Sequence, residues 1–368
     1  MVGFVVGRWV AFLVGALGFV AVAQAQRLEW PGGGTHCYQG LLPTPSGPVP
    51  VLATLTLPHD AGELLSGRLC CPSLGLDHEI EGAGIGDAGE VRLRSATTGT
   101  EPPACRLEGK FDAVARHFPC TLQRPGEARP QRLDLELIAV ERVVAIRQPL
   151  AVEWEQRGMM FAPDDDLARA ANAFQLEMPE HVTAMLAPGL GMEPTMHEDG
   201  GGGVEKLPAA AVQCVGTLWW TVWHRGPRLI SLAGFGTEYT GGAHGNSWLA
   251  GRTFVARSGK VEVLTLADLA VDDDQAPRLA ELLRERLAAQ GASDAGSYEL
   301  PSFDAAGAPA VVVAAGGVRF GFSPYAVGCY AEGCYVVDLS WRDLRGVLRP
   351  PAELDGVAVA ADATAPRR

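Results

Sequence analysis

A chain of 368 residues with 43 acidic and 30 basic side chains carries a formal net charge of -13. That balance argues against nucleic acid and anionic lipid as partners, since both repel an acidic surface, and favours a basic protein instead. The length exceeds what one core ordinarily organises, so two domains are expected.

The first element in chain order is a targeting segment. Arg8 is the lone charge before an apolar run from Trp9 to Val22, and Ala23-Gln24-Ala25 then places small residues before Gln26. A positive start, an apolar core and small residues are the three parts of a secretory signal. The run is shorter than the ~20 residues of a spanning helix, and no basic stop-transfer cluster follows. Residues 1–25 are therefore expected to be a cleaved signal peptide, placing the mature chain in the periplasm or outside the cell. No later segment reads as a membrane anchor.

Export changes how the eight cysteines read. Cys37, Cys70, Cys71, Cys105, Cys120, Cys214, Cys329 and Cys334 form an even set, which in an exported chain points to disulfides. There is no C-x-x-C and no histidine at zinc-ligand spacing beside them, so neither metal nor cofactor is expected. The turn Tyr330–Gly333 can bring Cys329 and Cys334 within the ~4.4–6.8 Å Cα separation of a disulfide. Cys214 would then stay free or reach an N-terminal cysteine and clamp the two halves.

Residues 26–150 read as short strands at 51–57, 64–71, 78–84, 90–95, 104–111, 118–122 and 133–140, separated by turn residues. Arg132 to Leu137 alternates charge with leucine. The expected unit is an all-β antiparallel meander, closed like a barrel because open edges invite aggregation. Residues 160–349 mix helices and strands without strict alternation, giving an α+β domain and an α+β fold class overall. Its helices are expected at Leu167–Phe174 and Ala276–Gln290. The second has Asp274 as cap, a stripe of Leu279, Leu282, Leu283 and Leu287, and Gly291 as its stop. Strands are expected at Ala211–His224, Arg228–Phe235, Val311–Val313 and Tyr335–Leu339. Residues 350–368 read as a disordered tail.

Several motifs suggest chemistry and have plainer explanations. Gly84-Ile85-Gly86-Asp87-Ala88-Gly89 fits a dinucleotide fingerprint, but a strand follows it where the fingerprint needs a helix. Asp77, Glu79 and Glu81 share a strand face and read as its wet side, with Ile80 inward, rather than as a glycosidase pair. His197-Glu198-Asp199 offers one histidine in a loop, too few fixed ligands for a metal. Alternation sets Trp219 and Trp223 on one face and Trp220 on the other; one face is expected in the core.

The densest polar motif is Tyr239-Thr240-Gly241-Gly242-Ala243-His244-Gly245-Asn246. Paired glycines set a tight turn, and Tyr, His and Asn bring polar tips into it. His244 reads either as a ligand contact or acid/base, or as a group satisfying the loop backbone. No G-x-S-x-G supplies a nucleophile.

That motif, together with Leu229-Ile230-Ser231-Leu232, Gly259-Lys260 through Leu269, Phe320-Gly-Phe-Ser-Pro-Tyr325 and Tyr330-Ala-Glu-Gly333, resembles a family of exported domains. The family is the domain of unknown function at the C-terminus of RsiV-type anti-sigma factors, of a peptidoglycan deacetylase and of mycobacterial secreted immunogenic protein. The likeness covers about residues 160–349 and departs at Ala326, where the family usually has an acid. The segments Cys37–Gly40, Pro50–Leu57 and Leu107–Phe111 are similar to a β-meander module often met before this domain. The resemblance implies recognition rather than chemistry and, in the RsiV type, binding of lysozyme, a basic protein. The expected function is that of a non-enzymatic envelope protein binding a protein or cell-wall glycan through Tyr239, His244, Asn246, Tyr325 and Tyr330. One alternative is a cell-wall hydrolase using His244 as acid/base with Glu238 or Glu332 assisting; another is a structural envelope module.

Overall fold

The computed structural model describes residues 34–354 apart from 46, 58–63, 72–73, 75, 84–89, 96–104, 112–115, 125, 128, 149–151, 180–181, 184–194, 198–213, 242 and 305–307. Residues 1–33, which include the expected signal segment, Gly84–Gly89, Glu198, Asp199 and residues 355–368 lie outside the described residues.

Eight successive strands run antiparallel, each to the next: β1 (Gly34–Leu42), β2 (Val49–Leu57), β3 (Leu65–Cys71), β4 (Leu76–Ala83), β5 (Glu90–Ser95), β6 (Arg106–Lys110), β7 (His117–Gln123) and β8 (Gln131–Gln148). Strand geometry sends alternate side chains to opposite faces, and the sequence supplies apolar residues with that period. Val91 and Leu93 on β5, and Phe118 and Leu122 on β7, are buried between exposed neighbours. β1 also pairs with β8, Cys37 opposite Ala139 and Gln39 opposite Glu136, which closes the meander into a barrel. Tyr38, Leu55, Leu69, Ile80, Leu107, Phe118 and Leu135 fill it. Each such side chain contributes about 1.5–3 kcal/mol on burial. The strands flanking Gly84–Gly89 pair antiparallel, Ala83 opposite Arg92, so a strand does follow that motif. Asp77 and Glu79 are exposed and Ile80 is buried, which makes the alternating acids the outer face of the barrel.

β8 continues past the barrel. Ala139 has Cys37 on one edge and Phe161 of β9 (Val152–Phe161) on the other. Next comes helix α1 (Asp166–Leu176), capped by Asp165, whose carboxylate accepts from Ala168 N–H at 2.7 Å. The short β10 (Thr195–His197) pairs with the far end of β8. β11 (Cys214–Arg225) lies parallel to β9, a pairing that requires a crossover, and α1 lies in that connection. β12 (Leu229–Tyr239), β13 (Asn246–Arg257) and β14 (Lys260–Leu264) extend the sheet antiparallel.

The remainder is a smaller layer. Helices α2 (Leu266–Leu269) and α3 (Ala276–Ala289) precede a three-stranded sheet of β15 (Ala310–Ala314), β16 (Gly317–Phe322) and β17 (Tyr335–Ser340). Leu279, Leu283 and Leu287 share one core with Phe320, Val337 and Leu339. Asp274 does not cap α3: the cap position is Gln275, without a side-chain bond, and Pro277 opens the first turn. Asp274 instead accepts from Gln275 Nε2 at 2.9 Å. Gly291, at φ +85°, ends the helix as expected. Ala352–Leu354, which the sequence placed in the tail, forms a turn; Glu353 is buried and accepts two bonds from Arg257 at 2.9 and 3.2 Å.

The barrel and the second region share a core and a charge network. Cys37, Leu52 and Cys70 on the outer barrel wall pack with Trp154, Leu218, Trp220 and Phe254. Arg319 on β16 lies 3.6 Å over the Trp223 ring, donates to Asp338 at 2.7 and 2.8 Å, and reaches Asp77 of the barrel at 3.5 Å. Arg68 holds the same Asp77 with two bonds of 2.6 Å. Burial alone would raise the Asp77 pKa, but Arg68 and Arg319 outweigh it and hold the carboxyl below its usual range.

All eight cysteines are free in the structure, and burial pushes the Cys37, Cys70 and Cys120 thiols up to about 12. Cys329 and Cys334 are unjoined, with Cys334 Sγ 3.9 Å from Ser247 Oγ, and Cys214 is buried opposite Val152 of β9.

Indole rings lie directly on glycine backbone in the central sheet. Trp154 and Trp248 stack at 6.2 Å. A Cβ at Gly216 would stand 2.4 Å from the Trp154 ring, and one at Gly236 would stand 2.2 Å from the Trp248 ring. Overpacking of this kind costs about 1–3 kcal/mol. Gly236→Ala is therefore expected to lower the unfolding free energy by about 1–3 kcal/mol, read as a lower urea midpoint at unchanged m; an unchanged midpoint would show that the indole can move aside.

Candidate functional site

Two loops from different sheets meet at one end of the molecule. The first joins β12 to β13, whose last ladder pair is Glu238 opposite Asn246. Gly241 takes φ +99°, a conformation that suits glycine and lets the chain reverse. The second loop follows β16, passes through the turn Tyr330–Glu332 and enters β17. Ser323 ties this loop to β13 by accepting from Leu249 N–H at 3.1 Å.

Three expected residues come together here. The His244 ring stacks on Tyr330 with centroids 4.1 Å apart and planes 24° from parallel. Tyr325 leans on Tyr330 at 5.8 Å, and its hydroxyl lies 3.4 Å from His244 Nε2. His244 Nδ1 donates to Gly245 O at 2.7 Å, since a carbonyl only accepts. Tyr325 is 64% exposed and His244 is exposed. Tyr239 and Asn246, also exposed, stand at the strand ends that carry the first loop.

Tyr325 adopts φ +69°, a left-handed backbone that costs a non-glycine residue about 1–2 kcal/mol. The loop is held in that shape by Tyr325 N–H to Gly328 O at 3.1 Å and Ala326 N–H to Ser323 O at 3.1 Å. Its main brace is Glu332. One carboxylate accepts from Ser293 Oγ at 2.6 Å, Ser293 N–H at 3.0 Å, Tyr335 Oη at 2.8 Å and Cys329 N–H at 3.0 Å. These bonds, those from Ser293 first, hold its pKa far below the ordinary carboxylate range.

Among the described residues the partners of His244 are Gly245, Tyr325 and Tyr330; Glu238 and Glu332, considered as its helpers in a hydrolase, are not among them. Glu332 is instead a positioning group, and Ser293, which sequence reasoning passed over, is its main partner. No motif marks Ser293, since it reaches Glu332 only through the packing of α3 beside β17.

The tryptophan cluster divides differently from its alternation. A bulge between Val222 and His224 shifts the phase of β11. Trp223 is thereby buried beneath Arg319, and Trp220 is buried against Phe174 at 4.9 Å. Trp219, half-buried, stacks on Phe235 at 5.6 Å with planes 6° apart.

Residues 267–342 match the model of a family described as a protein of unknown function (DUF3298). That span contains Tyr325, Tyr330 and Glu332, but not the loop that carries His244. A DUF3298 structure from Bacteroides fragilis is 16% identical with a TM-score of 0.40, the match covering 59% of this chain and 97% of that one. A second, from Pseudomonas aeruginosa, is 18% identical with a TM-score of 0.35, covering 57% and 94%. No curated protein matches the chain.

The brace carries a pH signature. A carboxyl whose folded pKa is depressed stabilises fully above its unfolded value, near 4.5, and loses that contribution as pH falls through the folded value. The melting temperature of the wild type is expected to exceed that of Glu332→Gln at pH 7, with the gap narrowing below about pH 4.5. A gap independent of pH would mean that the carboxylate does not hold the loop.

Proposed function

We propose that this protein is a non-enzymatic, exported binding protein of the cell envelope, working in the periplasm or outside the cell. It recognises a protein or cell-wall glycan through Tyr239, His244, Asn246, Tyr325 and Tyr330. The observation that carries this reading is the stack of the exposed His244 and Tyr325 on the half-buried Tyr330, with the loop braced by Glu332. Aromatic side chains with polar tips offer large contact areas together with hydrogen bonds, and such residues dominate binding energy at interfaces. A loop ordered before binding spends less free energy on ordering during it. The net charge of -13 favours a basic partner such as lysozyme, in keeping with the family resemblance of residues 160–349.

The test is to immobilise the mature chain and titrate lysozyme, with sedimentation of isolated cell-wall sacculi as the glycan arm. Tyr325→Gly removes one ring and relieves the left-handed strain, so its stability should stay within about 1 kcal/mol of wild type. Its affinity for the ligand that binds should fall at least tenfold, which is about 1.4 kcal/mol. Binding unchanged in Tyr325→Gly, or no binding in either arm, overturns the assignment. Release of soluble wall fragments that stops in His244→Ala would move the function to hydrolysis.

A further inference from the structure

At the opposite end of β12 from the aromatic stack, roughly 33 Å away at strand rise, the barrel wall meets the turn between β11 and β12. A groove of about 580 Å³ runs along this junction. Leu41, Ile138 and Pro227 give it apolar walls, and Asp134 and Glu136 line it from β8. Both carboxylates are exposed, and neither has an ion-pair partner among the described residues. His117, across the ladder from Glu136, also faces the groove. Arg225 is the one Lys or Arg among the described lining residues, and its guanidinium is already engaged by Asp165 Oδ2 at 2.8 Å and Gly226 O at 2.5 Å.

Behind the groove is a chamber of about 10 Å³ that shares Gln39 and Arg225 with it. Two buried polar atoms on its lining residues have no partner among the described residues: Gln39 Oε1 and His224 Nε2. His224 is 3% exposed, and burial, with Arg225 assisting, lowers its pKa to about 4, so the imidazole is neutral near pH 7. Gln39 is oriented by its own Nε2, which donates to Arg225 O at 2.7 Å and leaves Oε1 as a fixed acceptor. Gly226 lines the groove beside the imidazole; a Cβ there would stand 3.1 Å from His224 Nε2. Buried polar atoms almost always find partners in native proteins, so two of them at the inner end of an acidic groove point to a ligand rich in donors.

We infer that this junction is a binding site for an organic cation, a primary ammonium carried on an apolar chain. Asp134 and Glu136 supply the counter-charge, and Leu41 and Ile138 take the apolar chain. Gln39 Oε1 and His224 Nε2 accept from the ammonium, directly or through the single water that a chamber of this size holds. The site is separate from the aromatic surface in position and in chemistry.

Calorimetric titration of the mature chain with 1,5-diaminopentane tests it, with 1,5-pentanediol as the uncharged control. Saturable binding of the diamine without binding of the diol is expected. The double variant Asp134→Asn, Glu136→Gln should bind at least tenfold more weakly at an unchanged melting temperature, since both side chains are exposed. Gly226→Ala, which leaves the acids in place, should also weaken binding several-fold, and the diamine should shift the ring-nitrogen resonance of His224 in the wild type. No diamine binding, equal affinity in the double variant, or equal binding of the diol overturns the inference.

Discussion

Strand β8 pairs on both backbone edges, and the rest of the molecule is arranged around it. One edge serves β7 and then β9; the other serves β1 at Glu136–Val140 and β10 at Ala145–Arg147. Where both edges are paired, moving one partner would leave backbone donors and acceptors of β8 unsatisfied. The barrel therefore cannot turn freely about a linker to the second region, because both are built on the same eighteen-residue strand. Closure at Cys37 and Ala139 and departure at Ala139 and Phe161 occur at one residue.

Side chains reinforce what that strand sets up. Outer barrel residues contribute to the core formed with β9, β11 and α1, so this wall of the barrel is covered by protein. Arg319 then joins the two regions by charge: its guanidinium stacks on Trp223 and lies between Asp338 and Asp77. At 15% exposure it is sheltered enough for such contacts to count for more than an open surface pair. The same junction holds the groove, because a twisted barrel wall and the tip of a hairpin cannot match in shape along their whole boundary.

The aromatic surface is built in the opposite manner, from two loops rather than from a strand. Each is anchored to a sheet, and Ser323 fastens one to the other through β13. Glu332 then satisfies four donors from three residues, fixing the loop on which Tyr325 sits. The strained backbone at Tyr325 persists because these bonds over-determine its position. The result is a rigid group of rings facing solvent, which suits recognition.

The sequence by itself determined the barrel strands from β2 to the first part of β8 but not β1, the position and apolar stripe of α3, and the candidacy of Tyr239, His244, Asn246, Tyr325 and Tyr330. Local alternation and helical spacing suffice for the first two, and turn chemistry with the family resemblance suggested the third. Only the tertiary structure decided that β1 closes on β8, that β8 runs on to Gln148, and that Trp223 goes inward. Alternation tells which face a side chain takes but not which strand lies beside it, and the bulge between Val222 and His224 buries Trp223 at a position alternation alone does not place. The role of Glu332 was hidden for the same reason: its partners Ser293, Cys329 and Tyr335 come from three separate elements, and only packing brings their donors to one carboxylate.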